Sequence, residues 1–424
     1  ENGQVTPSLG SMQKIAEEFE QATTILDESS VNTPCGSTAH KSRLLATRAH
    51  LLVATGSLEA PAAISAAVEH ARRQGAGCWL TYSAMLRAVS GSPEELRRFV
   101  RQGDRNDLAA LSMAAELVVP RLGELGGTEM GRLAVEADLR TERWRDPLRR
   151  AVDRGGVDVL AAARLLDAIG TVDDIARLRT VARSARGRPE SSLGRPLARR
   201  VAPRVVVEDQ GRVSISVGTR SVEGSSIRRK VLGLTCFLVS RPAFSAARDE
   251  VLDALWPDFD PADALNSLNQ TIYFLRRVFE PAFREDLSPG YVNHEGDLVW
   301  LDTQLVASRS QRCADLIRAL PVEPSASDVA GLSEAYRGPF ALDFAYEEWA
   351  AAYRSSLQSS YLQVVERSVR SDMESGHFER GILLARRALE VCPDADNMEL
   401  SLLRLYKLSG SHSAAAERYA HYSA

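Results

Sequence analysis

The sequence predicts a mainly α-helical chain in three parts: an N-terminal helical-repeat domain, a small α/β module and a C-terminal helical-repeat domain. Three observations carry this reading. Glycines 56, 91 and 126 recur at a spacing of 35 residues between stretches of helical period. From Val205 to Val217 apolar residues alternate with polar ones in two short runs, the period of two that marks strands. Near the C-terminus, Ser375-Gly376-His377 and Ser409-Gly410-Ser411 stand 34 residues apart among helices rich in Leu and Ala.

Composition narrows the function classes. With 424 residues, 44% hydrophobic and 25% charged, the chain has room for roughly two to four globular domains. No apolar run approaches the ~18–20 residues that cross a bilayer, so a cytoplasmic location without a membrane partner is expected. The start, ENGQVTPSLG, has neither an initiator Met nor a signal-peptide pattern, and reads as an excised fragment, a tag remnant or a processed start. Cys35, Cys78, Cys236, Cys313 and Cys392 never fall in CxxC spacing and read as reduced, buried thiols. The histidines show no metal-ligand spacing, and there is no phosphate-binding glycine loop, dinucleotide fingerprint or nucleophile elbow. No metal, no cofactor and no enzymatic activity are expected.

The formal net charge of −4 argues against a general polyanion binder. From Arg177 to Arg204 nine arginines stand against one acid, Glu190. The bias towards Arg and Ala is that of a high-GC genome, so arginine abundance alone is not a sign of nucleic-acid binding.

Residues 1–187 are helical in period. Their glycine turns are followed by Ser57, Ser92 and Thr128 as N-caps of the next helices. A period of ~34 residues is the pattern of tetratricopeptide-like helical hairpins. Gly155-Gly156 and Gly170 break it, so the array becomes irregular, and a plain helical bundle is the alternative. Residues 188–203 hold three prolines and no apolar period, and read as a linker whose Arg195, Arg199 and Arg200, with Arg204 just beyond, sit on a solvated hinge.

Residues 204–302 follow a different pattern. Val205, Val207, Val213, Ile215 and Val217, with turns at Asp209-Gln210-Gly211 and Gly218, predict an antiparallel meander. A helix over RRKVLGLTCFLVSR buries Val231, Leu234 and Leu238 and stops at Pro242; a second, ARDEVLDALW, ends at Trp256-Pro257. A third runs from Pro261 to Phe279. Asp260 is its expected N-cap, with Pro261 at N1 and Asp263 at N3. GYVNHE and DLVWLD form a hairpin across Glu295-Gly296-Asp297. A meander, three helices and a hairpin make the layout of a winged helix-turn-helix.

The third helix buries Leu265, Leu268, Ile272, Leu275 and Phe279 and turns Asn266, Gln270, Tyr273 and Arg277 outward. An ordinary surface face would carry Glu and Lys. Amides pair with adenine and arginine with guanine, and none of the four is repelled by phosphate. These four, with Asn269, are the candidate reading positions. Arg228, Arg229, Lys230, Arg248 and Arg276 are candidates for phosphates, and His294 with Gly296 forms the tip of the wing. Against this, residues 204–302 carry eleven basic and fifteen acidic residues, where a DNA-binding module should be basic. A winged helix adapted to protein contacts therefore stays open.

The residues from RRKVLGLTCFLVSRP to LWPDFDPADALNSLNQTIYFLRRVFEP resemble the OmpR-type winged helix of the Streptomyces antibiotic regulatory protein family. The segment that follows resembles that family's bacterial transcriptional activator domain, a tetratricopeptide-like module. It is marked by Tyr336-Arg337-Gly338-Pro339-Phe340, by Glu347-Glu348-Trp349 and by ALEVCPDADN at 388–397. The resemblance covers about residues 204–424. It implies a transcriptional activator that binds direct repeats in double-stranded DNA and contacts RNA polymerase, and that larger relatives carry an ATPase module. The repeats that precede the winged helix depart from the compact members, in which the winged helix comes first.

In the C-terminal domain, 303–424, Leu383, Leu384, Ala388 and Leu389 are expected to pack, and Pro393 to close their helix. Trp349, Tyr346 and Tyr353 are read as filling a helical core rather than stacking on a ligand. Dimerisation or an effector protein is a possible role for the repeats. The rival readings are a helical-repeat scaffold whose winged helix binds protein, and a small-molecule sensor with its pocket among the N-terminal repeats.

Overall fold

The computed structural model describes residues 38–156, 159–185 and 189–422, so Cys35 and most of the N-terminal segment lie outside the described residues. The chain divides after Val201 into two compact units.

The first unit is all helical. Helices α1 (Thr38–Ala54), α2 (Ala60–Arg73), α3 (Gly77–Ser90), α4 (Pro93–Gln102) and α5 (Arg105–Met113) are followed by the single turn α6 (Ala115–Val118). Then come α7 (Gly127–Leu139), α8 (Thr141–Arg154), α9 (Val159–Ile169), α10 (Asp174–Ser184) and α11 (Arg195–Val201). Successive helices pack as neighbours, α1 on α2, α2 on α3 and α8 on α9. Of the three expected N-caps only Ser92 caps its helix, accepting from the Glu95 amide at 3.3 Å in a capping box. Helix α2 starts instead at Glu59 with Pro61 in its first turn, and α7 at Gly126, whose amide is taken by the Glu129 carboxylate.

Arginines complete this unit by serving helix C-termini, where the last carbonyls have no partner within the helix and the dipole favours a cation. Arg132 donates to Val100 O at 2.9 Å and Gly103 O at 2.6 Å, at the end of α4. Arg145 reaches Ile169 O at 3.0 Å, and Arg200 reaches Asp167 O at 2.9 Å, both at the end of α9. The expected linker is therefore structured over 189–201. Leu193, Leu197 and Ala198 are buried, and the buried Asp167 carboxylate accepts from the Gly194 and Leu197 amides at 3.1 and 3.3 Å, capping α11. Prolines 189 and 196 sit at helix starts, which they favour, so they do not mark a flexible joint.

The second unit begins with β1 (Val205–Glu208), β2 (Ser214–Val217) and β3 (Arg220–Glu223), the expected meander, with Val205 opposite Val217 and Val207 opposite Ile215. Helices α12 (Arg229–Val239), α13 (Arg248–Leu255) and α14 (Pro261–Phe279) follow, and β5 (Val292–Glu295) and β6 (Leu298–Leu301) form the wing. Two strands were not foreseen. β4 (Ser245–Ala247) pairs with β6, and β7 (Val306–Ser308) lies parallel to β1, giving sheets ordered β3-β2-β1-β7 and β4-β6-β5. Each has three residues, too few to display an alternation of two.

Helices α15 (Arg309–Ala319), α16 (Ala326–Ala335), α17 (Glu348–Glu374), α18 (Phe378–Val391), α19 (Asp396–Leu408) and α20 (His412–Tyr422) complete the chain. The modules expected on either side of residue 302 share a core. Phe340, Ala341, Phe344 and Ala350 belong to the buried cluster formed by Phe237, Val251, Leu268, Leu275 and Phe279 of the winged helix. A second cluster, around the stacked rings of Tyr336 and Tyr361 with centroids 4.0 Å apart, holds α16 to α19 together. Leu383, expected to pack, is exposed, while Leu384, Ala388 and Leu389 are buried. Of the cysteines expected to be buried, Cys236, Cys313 and Cys392 are, and Cys78, second residue of α3, is exposed.

The joint is polar and centred on a completely buried carboxylate. Asp209, in the turn after β1, accepts from the hydroxyls of Ser308 and Ser310, each at 2.6 Å, and from the Ser310 amide at 2.8 Å. Its own carbonyl accepts from the Ala341 amide at 2.7 Å, Gly211 donates to Pro339 O at 2.7 Å, and Val213 donates to the Asp343 carboxylate at 2.7 Å. Arg354 of α17 spans the facing loop, donating to Phe340 O at 2.7 Å and Phe344 O at 2.8 Å. Burial pushes the Asp209 carboxyl above its ordinary range, against the serine hydrogen bonds that favour the charged form. Replacing Asp209 by Ala orphans buried donors and is expected to lower stability by about 3 kcal/mol in urea denaturation followed by tryptophan fluorescence. Asp209→Asn, which keeps an acceptor, is expected to lose less. A raised carboxyl pKa in the fold withdraws stability as pH rises from the unfolded towards the folded value. The Asp209→Asn chain, which has no proton to lose there, should therefore gain on the parent across that window.

Candidate nucleic-acid interface

Helix α14 starts as expected at Asp260, but the capping differs. The Asp260 side chain makes no cap bond; its carbonyl accepts from the Ala264 amide at 2.9 Å, and Pro261 removes one orphan donor. Ala264, Leu268, Thr271, Ile272, Leu275 and Phe279 are buried, Leu265 only half so. At 100° per residue the opposite side forms one stripe of exposed residues: Asn266, Asn269, Gln270, Tyr273 and Arg277. Tyr273 is 46% exposed, and Arg277 donates to its hydroxyl at 3.1 Å. No acid lies on the stripe from 266 to 277, but Asp263 is exposed on the turn before it.

Most of the neighbouring cations have work inside the fold. Half-buried Arg276 donates to Val292 O at 3.2 Å and lies over the Phe283 ring, bracing the helix against the wing; burial pushes its guanidinium below the ordinary arginine range. Arg229 pairs with Glu347 at 2.8 Å and bonds Asp343 O at 3.2 Å, turned towards the loop before α17. Lys230 donates to Leu255 O, 25 residues on, at the end of α13. Arg248 pairs with Asp297 of the wing turn. Arg228 lies 3.8 Å over the Phe274 ring with its guanidinium at the surface beside α14. His294 is exposed, and Gly296 adopts the left-handed conformation (φ 57°) that the tight hairpin requires. The wing tip thus carries one histidine next to exposed Glu295 and Asp297 and no permanent cation.

Sequence reasoning could not locate these partners, because they lie 16 to 118 residues away in sequence. The aromatic cluster behaves as a core. Trp349 packs on Phe237 and Phe344, with centroids 5.7 and 5.3 Å apart, and Tyr353 on Phe340 at 4.8 Å. Tyr346 is the exception, fully exposed. Open cavities of about 640 and 590 Å³ lie beside Arg204, Arg309 and Arg312 and beside Trp79, Tyr82 and Met113. Among the described residues, no three His, Cys, Asp or Glu side chains converge as metal ligands, and no helix is long and apolar enough to cross a membrane.

Residues 301–424 match the family model described as bacterial transcriptional activator domain, so the resemblance drawn from the sequence motifs holds over the C-terminal helices. Among solved structures, Mycobacterium tuberculosis EmbR in complex with a low affinity phosphopeptide is similar at 16% identity with a TM-score of 0.41. That likeness covers 52% of this chain and 59% of that one. No curated protein matches the chain.

The two adjacent arginines separate bracing from display. Arg276→Gln is expected to lower stability by about 1–2 kcal/mol through the lost bond to Val292 O. Arg277→Gln should stay within about 0.5 kcal/mol of the parent in thermal denaturation.

Proposed function

We propose that this chain, similar to Streptomyces antibiotic regulatory protein-type activators, is a sequence-specific DNA-binding transcriptional regulator. In this reading it binds direct repeats at promoters and contacts RNA polymerase. The observation that supports it best is the exposed stripe of α14, polar, without acids from 266 to 277, and carried by the third helix of a winged helix. That helix enters the major groove in helix-turn-helix proteins. Asn266, Asn269, Gln270, Tyr273 and Arg277 are the residues that meet bases or backbone, and Arg228 with Lys230 serves the phosphates. Arg229, Arg248 and Arg276 position these elements, and His294 approaches the backbone beside the wing. Helices α15 to α20 serve dimerisation or polymerase contact, and the first unit senses or restrains. The protein acts in the cytoplasm, without a cofactor, and is not an enzyme.

One observation favours the second reading, a winged helix that binds protein: its fifteen acids against eleven bases, several of the latter engaged internally. Salt separates the two readings. With Arg228, Lys230 and Arg277 at the flank left for phosphates, DNA affinity should fall with a log–log salt slope of roughly −3. A slope near zero, or no binding, favours the protein partner. Asn266→Ala combined with Gln270→Ala is expected to weaken binding to selected promoter DNA by about 2–4 kcal/mol and to leave affinity for random duplex unchanged, as read by fluorescence anisotropy.

A further inference from the structure

The stripe on α14 divides into two halves of different chemistry. Towards its C-terminal end, Arg277 is held by the Tyr273 hydroxyl at 3.1 Å and by Pro281 O at 3.5 Å. Towards its N-terminal end, Asn266, Asn269 and Gln270 are exposed within little more than one turn. None of these three amides is hydrogen-bonded to another described residue, and each presents a donor and an acceptor side by side. Nearby hydroxyls do not compete for them. Thr271 is turned back onto Ser267 O at 2.7 Å.

In helix-turn-helix proteins the N-terminal residues of the recognition helix meet the base edges. This places the amides, rather than Arg277, over the bases. An amide forms its bidentate pair with adenine, donating to N7 and accepting from the N6 amino group, while the bidentate partner of guanine is a cation. From Asn266 to Gln270 the helix rises about 6 Å, just under two base-pair steps of about 3.4 Å.

We infer that the amides of Asn266, Asn269 and Gln270 read adenines on their major-groove edges, so the half-site of this chain contains at least two adenines within three consecutive base pairs, one for Asn266 and one for Gln270. The inference rests on the DNA-reading proposal and adds the identity of the bases. Arg277 acts as a positioning residue at the flank. It holds Tyr273 against the groove wall and contributes no guanine preference.

The test uses the whole chain and a randomised duplex pool, followed by selected duplexes in which single adenines are replaced by 7-deazaadenine. That analogue keeps Watson–Crick pairing and lacks only the N7 acceptor. The selected core should hold adenines at two of three adjacent positions. Each replacement there should weaken binding roughly 5- to 150-fold, the range for one bidentate pair. In the Gln270→Ala chain, one of those positions should become insensitive to the replacement. Selected sequences that lack adenine, or that tolerate 7-deazaadenine throughout, overturn the inference while leaving DNA reading in place. A pool that yields no preferred sequence overturns both.

Discussion

The buried carboxylate of Asp209 sets the geometry on which the rest of the second unit depends. Its two oxygens hold the N-terminus of α15 to the turn after β1, and the main-chain carbonyl of the same residue holds the loop around Ala341. A group so deeply buried is tolerable only because three donors meet it, and their removal would leave a frame of unpaired polar atoms. The loop it anchors delivers Phe340 and Phe344 into the core on which α12 and α14 rest. The winged helix and the first helices of the activator-type domain therefore do not behave as beads on a string. A movement of one must break this node or carry the other with it.

That rigidity bears on how the exposed stripe of α14 works. A loosely mounted helix would rely on charge to stay on DNA. Here Arg229, Arg248 and Arg276 are paired or bonded within the fold. Little positive charge is left for general attraction, and the surrounding acids oppose it. In the proposed function such a surface would hold poorly to random duplex, and its specificity ratio would come from base-edge contacts instead of phosphate contacts. The amides on α14 suit that division because they contribute little without the correct edge opposite them.

Some of this was legible in the sequence, and physics explains which parts. The meander could be read because a half-buried strand alternates, and α14 because a buried face repeats every 3.6 residues and Pro261 marks its start. The exposed positions of the stripe followed from the same period. What escaped the sequence depends on partners distant along the chain. The strand β7 exists because β1 offers it an edge, and the helix at Arg195–Val201 because Asp167 caps it and a groove receives Leu197. The roles of the cations escaped for the same reason. Nothing beside Arg276 in sequence announces Val292 O, and Arg200 of the expected linker read as part of a solvated hinge although it bonds Asp167 O. Asp209 looked like an ordinary turn residue.

The central claim is that the outer face of α14, mounted on this rigid unit, is the surface that meets DNA. Two exposed tyrosines offer a direct comparison: Tyr273 on that face and Tyr346 in the loop before α17. Each can be replaced in turn by a photo-cross-linking phenylalanine analogue, and the whole chain irradiated with genomic DNA fragments. A covalent protein–DNA adduct is expected from position 273 and none from position 346. An adduct from 346 alone, or from neither position while either probe traps another protein, would contradict it.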